Sequence, residues 1–249
     1  MIVLSVGMPR AGSGWHYNLI HDLMQTTNCA EARDIRVNYH LQNILTEVNC
    51  NIGVLSMRRM AMVTVPALTG NTFVIKAHAA PSPASALLEN LGLLRITYIY
   101  RDPRDAMLSA FDYGQRALQK GRPNAFSHLT DFEKSLEFIM EYVRIWEKWM
   151  NEKHTLIARY EDLLTNYDSE VKRLVGFLSL DGNRLSVNGE AAVQKVIDSY
   201  RPGTADANQQ GLHFFKGKIG RFRDIYSAEQ QMVLKDKLGP YLIRMGHEI

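Results

Sequence analysis

A chain of 249 residues, 46% hydrophobic and 22% charged, has the composition of a folded globule and excludes a disordered one. Its net charge of +3 suits a small anionic ligand but is too weak and too scattered for nucleic acid. No apolar run approaches the roughly 18 residues of a membrane span, and the apolar opening lacks a signal peptide's basic flank, so a cytoplasmic protein is expected.

Cys29 and Cys50 stand without metal-ligand spacing, so no metal is expected, and two thiols suggest a reducing compartment with a single disulfide left open. The length allows one large or two small domains. The regular pattern of elements favours a single domain over residues 1–249.

Ile2-Val3-Leu4-Ser5-Val6 is a short β-branched run of the kind that makes a buried parallel strand. It breaks at Gly7 and passes through Met8 to Gly14 into a helix beginning near Trp15. A strand, a glycine-rich turn and a helix start make an anion site, because turn N–H groups and the helix dipole converge there. Arg10 adds a guanidinium. Gly7 and Gly12 have the separation of a nucleoside-triphosphatase P-loop, but Ser13 and Gly14 stand where its Lys and Ser/Thr belong. Such a loop suits a shorter anion without magnesium; the alternative is a turn that merely joins strand to helix.

Cys29–Asn51 is mixed and carries no clear element, and Val54–Leu68 has partial helical spacing. Its Met57, Met60 and Met62 read as core filling or as the lining of an adaptable pocket. Thr72–Ile75 is a second strand leading into Lys76-Ala77-His78, and Ala84–Leu91 is a short helix. Arg95–Tyr100 is the third strand. Asp102 as N-cap and Pro103 in the first turn then start a helix over 104–116.

Gln119–His128 reads as a mobile surface loop. A long amphipathic helix follows over 131–151, with Phe138, Tyr142, Ile145, Trp146 and Trp149 on its apolar stripe as core. Thr155–Tyr160 is the fourth strand, Glu161–Leu180 a helix and Glu190–Tyr200 another. Arg201–Arg223 is aperiodic, and Ser227-Ala228-Glu229-Gln230 has the form of a capping box opening the last helix.

Alternating strands and helices predict a three-layer α/β/α fold with a central parallel sheet and its ligand at the strands' carboxyl ends. Those ends carry Arg10, Lys76 with His78, Arg101, and Arg159 with Tyr160, a cationic crevice with one histidine. His78 reads as a general base or as a structural histidine.

These residues resemble the sulfotransferases that use 3′-phosphoadenosine 5′-phosphosulfate (PAPS), in a short form with cytosolic-type motifs. The family's P-K-S-G-T-T-W loop is similar to Pro9-Arg10-Ala11-Gly12-Ser13-Gly14-Trp15, and its K-T-H stretch to Lys76-Ala77-His78. Its arginine and serine for the 3′-phosphate match Arg101 and Ser109, and its Y-E-D matches Tyr160-Glu161-Asp162. Its S-F resembles Ser199-Tyr200 and its closing R-K-G-x-x-G resembles Phe215-Lys216-Gly217-Lys218-Ile219-Gly220.

The resemblance implies sulfuryl transfer from PAPS, leaving 3′,5′-adenosine bisphosphate (PAP), to a hydroxyl of a small-molecule, lipid-like or sugar acceptor. It implies His78 as base, with Lys76 and Arg10 neutralising developing charge. Arg10, Ala11, Gly12, Ser13 and Gly14 would hold the 5′-phosphosulfate. Arg101, Ser109 and the Phe215-Lys216-Gly217 loop would hold the 3′-phosphate, and Tyr160, Trp15 and Tyr200 would contact adenine.

Arg10 stands for the usual lysine, keeping the charge as a fork rather than a compact proton donor. Phe215 stands for an arginine of the closing motif, which leaves open whether 3′-phosphate binding is weaker or borrows another cation. Arg223, Ser227, Ala228 and Met232 break the dimer signature of cytosolic relatives, and the oligomeric state stays open. The rival readings are a P-loop kinase of small metabolites and a non-catalytic nucleotide-binding regulator.

Overall fold

The structure, a computed structural model, describes residues 1–179, 189–203 and 218–249. Four strands, β1 (Ile2–Gly7), β2 (Phe73–Ala77), β3 (Leu94–Tyr100) and β4 (Leu156–Arg159), form one sheet in the order β2-β1-β3-β4. Every pairing is parallel, so each strand's carboxyl end meets the same edge. The chain steps from β1 to β2 on one side and then crosses to β3 on the other. In open parallel sheets ligands bind at such a reversal of strand order, which here falls outside the end of β1.

The helices are α1 (Ser13–Gln25), α2 (Ala32–Asn38), α3 (Met57–Leu68), α4 (Pro83–Asn90), α5 (Pro103–Gln119), α6 (Phe132–Trp149), α7 (Tyr160–Thr165), α8 (Tyr167–Leu178), α9 (Gly189–Ser199), α10 (Phe222–Ile225) and α11 (Ala228–Arg244). Alternation along the strands divides the core into two layers. Ile2, Leu4, Phe73, Ile75, Ile96 and Tyr98 pack with α3, α4, α6 and α11. Val3, Val74 and Ile99 pack on the opposite face with α1, α8 and α9. This is the expected three-layer α/β/α arrangement.

Several elements differ from their sequence expectations. The mixed stretch after Cys29 contains α2, whose N-cap Glu31 accepts from Arg33 N–H, and it buries Leu41, Leu45, Cys50 and Ile52. The Cys50 carbonyl accepts from Lys76 N–H and Ile52 N–H donates to the Lys76 carbonyl, covering the outer sheet edge beside β2. Lys76 therefore lies inside a strand rather than after one.

The helix expected over 161–180 is broken at Asn166, whose φ of −124° leaves the helical region between α7 and α8. Of the three clustered methionines only Met60 is in the core; Met57 and Met62 are exposed. The 119–128 loop is pinned rather than free. Asn124 Oδ1 accepts from Phe126 N–H, and the Phe126 ring packs on Tyr113 and Phe138.

Both cysteines are free and buried, so the disulfide left open does not form. Trp146 and Trp149 are wholly buried, with Phe138, Tyr142 and Ile145 at the core's margin. The last helix opens with the reciprocal capping box of Ser227 and Gln230. Among the described residues no helix is long and apolar enough to cross a membrane.

Candidate active site

The loop after β1 is shaped by close packing. A side chain at Gly7 would meet Ile99 Cγ2 at 2.7 Å and Ser13 Cβ at 2.8 Å, so only glycine lets β1, β3 and α1 approach there. Gly12, the N-cap of α1, has φ 77°, and a Cβ on it would lie 2.5 Å from the Tyr160 ring. Arg10 is also left-handed at φ 63°, a strained conformation for an arginine. The first intrahelical bond runs from His16 N–H to the Gly12 carbonyl. The Ser13 and Gly14 amides therefore face the helix N-terminus, where the dipole favours an anion.

Lys76 pairs with Ser5, and Ser5 with Thr97, so the three side chains form a polar row on the sheet face beneath α1. Lys76 is 6% exposed, and its ammonium has neither a carboxylate nor a hydrogen-bond acceptor among the described residues. Burial, and then the nearby Arg10 charge, push it down to about 8. A desolvated cation without an anion is costly unless a ligand completes it.

His78 sits one residue past β2, its Nδ1 2.6 Å from the Gly7 carbonyl. A carbonyl only accepts, so Nδ1 carries the proton and Nε2 keeps its lone pair. Burial and the Lys76 charge push His78 down to about 4, opposed by the Gly7 bond, so it is neutral at pH 7. His16, which the sequence reading passed over, is buried on α1 with Nδ1 3.3 Å from Ser5 Oγ.

Arg10 donates from Nε to Ser109 Oγ at 3.3 Å and lies over the Tyr113 ring. This contact joins the loop to the helix carrying the expected 3′-phosphate serine. Arg101, 7% exposed, lies over the Tyr160 ring and donates to Asp105 Oδ2 and to the Lys218 carbonyl.

Asp105, also passed over, binds the Gly220 and Phe222 amides as well, and so ties the end of the closing motif to Arg101. The Arg-x-x-x-Asp spacing from Arg101, just before the cap, to Asp105 in the first turn of α5 was its available signal. Phe215, Lys216 and Gly217 lie outside the described residues.

Three aromatic candidates are occupied within the protein. Trp15 stacks on Tyr167 and donates from Nε1 to the Tyr200 carbonyl. Tyr200 donates its hydroxyl to Asp22. Tyr160 supports Gly12 and Arg101 from below. Arg159 departs from the crevice expected for all four strand ends: its Nε pairs with the Glu161 carboxylate at 3.4 Å and its Nη2 donates to His247 Nδ1.

Residues 2–201 match the family described as the sulfotransferase domain. The chain is similar to Sulfotransferase 6B1 of Danio rerio, 24% identical over 145 residues, which are 55% of this chain and 48% of the relative. It is also similar to the amine sulfotransferase of Oryctolagus cuniculus, 22% identical over 155 residues, or 55% and 50% of the two chains. The chain thus spans about half the length of the curated relatives it matches.

Among solved structures, mouse sulfotransferase SULT7A1 complexed with PAP superposes with a TM-score of 0.63 at 16% identity, covering 97% of this chain and 83% of that one. Retinol dehydratase in complex with androsterone and inactive cofactor PAP gives 0.59 at 19% identity, covering 97% and 80%. At these identities the likeness is one of fold, and it agrees with the parallel sheet and the loop after β1. The domain match runs from the first strand through the last residue of the Trp15–Tyr200 contact, and the chain belongs to the sulfotransferase family.

Proposed function

We propose that the protein transfers the sulfuryl group of PAPS to a hydroxyl of a small acceptor. The observation that carries this reading is Lys76, a buried ammonium with no anionic partner among the described residues, beside a histidine whose tautomer leaves Nε2 basic. The donor supplies an activated sulfuryl group on a 5′-phosphate. His78 Nε2 takes the hydroxyl proton as the acceptor oxygen–sulfur bond forms and the bond from sulfur to the phosphate oxygen breaks.

Lys76 and Arg10 set positive charge where the leaving phosphate gains negative charge, and the Ser13 and Gly14 amides orient the same group. An anion here also raises the proton affinity of Lys76 and His78, offsetting the burial that depresses both. Arg101 and Ser109 hold the 3′-phosphate. The pinned 119–128 loop, with Phe126 on Tyr113 and Phe138, supports an apolar face for a lipid-like acceptor.

The test is thermal stability with PAP and, separately, with Mg-ATP. Ligand at 100 times its Kd adds about 2.7 kcal/mol, which for this chain length raises the melting point by roughly 5–10 °C. PAP should give that shift, Arg101→Ala should lose it, and His78→Ala should keep it while turnover with labelled PAPS falls by about 10²–10⁴. A shift with Mg-ATP alone would make the protein a kinase. PAP binding with no turnover on any hydroxyl acceptor would favour the regulatory reading.

A further inference from the structure

α11 ends in a turn that only glycine fits well. Gly246 has φ 76°, its N–H bonds the Ile243 carbonyl, and His247 N–H bonds the Leu242 carbonyl at 2.8 Å. This paired closure reverses the chain. Residues 246–249 then lie against the carboxyl ends of β3 and β4, where Tyr100 donates to the Met245 carbonyl and Arg104 to the Glu248 carbonyl.

The reversal inserts the His247 side chain, 5% exposed, among Asp102, Arg159, Arg104 and Arg101. Its Nδ1 is 2.9 Å from Arg159 Nη2. Arginine only donates, so Nδ1 is the acceptor and the ring is neutral with its proton on Nε2. His247 Nδ1 is the hydrogen-bond acceptor of Arg159 Nη2, while Arg159 Nε has none among the described residues, so the guanidinium's orientation leans on His247.

From Arg159 the contacts run toward the donor site. Its Nε lies 3.4 Å from Glu161 Oε2, and Glu161 Oε1 accepts from Asp102 N–H at 3.0 Å. Asp102 caps α5 through Arg104 N–H and holds the Arg104 guanidinium with both carboxylate oxygens. Arg101 is the residue immediately before that cap.

We propose that His247 is a positioning residue for the donor site. Acting as a neutral acceptor, it fixes Arg159 and, through Glu161 and Asp102, the turn that aims Arg101. The inference rests on the reading that Arg101 holds the 3′-phosphate. It concerns a residue outside the family match, which ends at 201.

The experiment measures PAP affinity by calorimetry for the full chain and for Arg101→Ala, His247→Leu and His247→Asn, together with the KM for PAPS and for acceptor. Leucine keeps the volume and removes the acceptor; the asparagine Oδ1 stands close to where Nδ1 does. His247→Leu should weaken PAP about tenfold and raise the KM for PAPS with the acceptor KM unchanged. His247→Asn should restore both.

Wild-type affinity in His247→Leu, with Arg101→Ala still defective, would overturn the inference and leave the donor-site reading standing. The same holds if His247→Asn is as weak as His247→Leu. Failure of the wild-type chain to bind PAP would overturn the reading and the inference with it. If His247→Leu does not fold, Arg159→Met breaks the same bond from its other end, and unchanged PAP affinity there counts against the proposal.

Discussion

Gly12 is fixed by two constraints that act separately. Its φ of 77° belongs to the left-handed region, and the Tyr160 ring occupies the space a Cβ would need. Adding a methyl group there costs about 1–2 kcal/mol in backbone strain and a further ~1–3 kcal/mol in overpacking. Gly12→Ala is therefore expected to lose about 2–5 kcal/mol by denaturant unfolding. Because relief requires Tyr160 to move, and Tyr160 carries the Arg101 guanidinium, the PAP-induced rise in melting point should vanish as well. A variant with native stability and native PAP response would show that the loop is not held by this contact. Arg10 makes the complementary point: its strained backbone sits in the loop, where its side chain reaches across to Ser109.

At the scale of elements, local chemistry and tertiary context can be separated. The Ser227–Gln230 capping box is local: both bonds are made within four residues at an exposed helix start. Ser227→Ala should cost about 1 kcal/mol, lowering the melting point by roughly 2–4 °C with PAP affinity unchanged; a loss of affinity would tie α11 to the site directly. Such local signals were legible in the sequence. The β-branched runs ending in Gly7, His78 and Arg101 marked strands, and Asp102-Pro103 marked a helix start.

What was not legible depends on partners distant in sequence. Lys76 faces α1 only because its register sets it beside Ser5, and Cys50 and Ile52 pin it from the other edge. The mixed stretch before Asn51 hid α2 because its core residues are spaced for a winding segment rather than for a repeat. Arg159 looked like one more strand-end cation, and nothing local in its neighbourhood announces His247, which arrives 88 residues later through a glycine turn.

For the molecule as a whole, three histidines are held neutral in the fold: His16 at about 3, His78 at about 4 and His247 at about 4, against an ordinary value of 6.5. Burial is the leading cause for each, followed by Lys76 for the first two, while for His247 Asp102 opposes the shift and Arg159 adds to it. Each of these groups binds more protons in the unfolded chain than in the fold between its two values. Their stabilisation is thus complete above pH 6.5 and is lost as the pH falls from 6.5 to the folded values, levelling off near 4 for His78 and His247.

Lys76 acts in a different window. Its folded value of about 8 lies below its ordinary 10.5, so its burial penalty is constant below pH 8 and is relieved as the pH rises from 8 to 10.5. The melting point of the ligand-free protein should therefore drop steeply between pH 6.5 and 4. His78→Gln, which keeps a donor for the Gly7 carbonyl and cannot be protonated, should make that drop shallower. A melting point that stays level from pH 7 to 4.5, or a slope unchanged in His78→Gln, would mean that these rings reach solvent and protonate within the fold. His78 would then no longer be a base kept neutral by its burial.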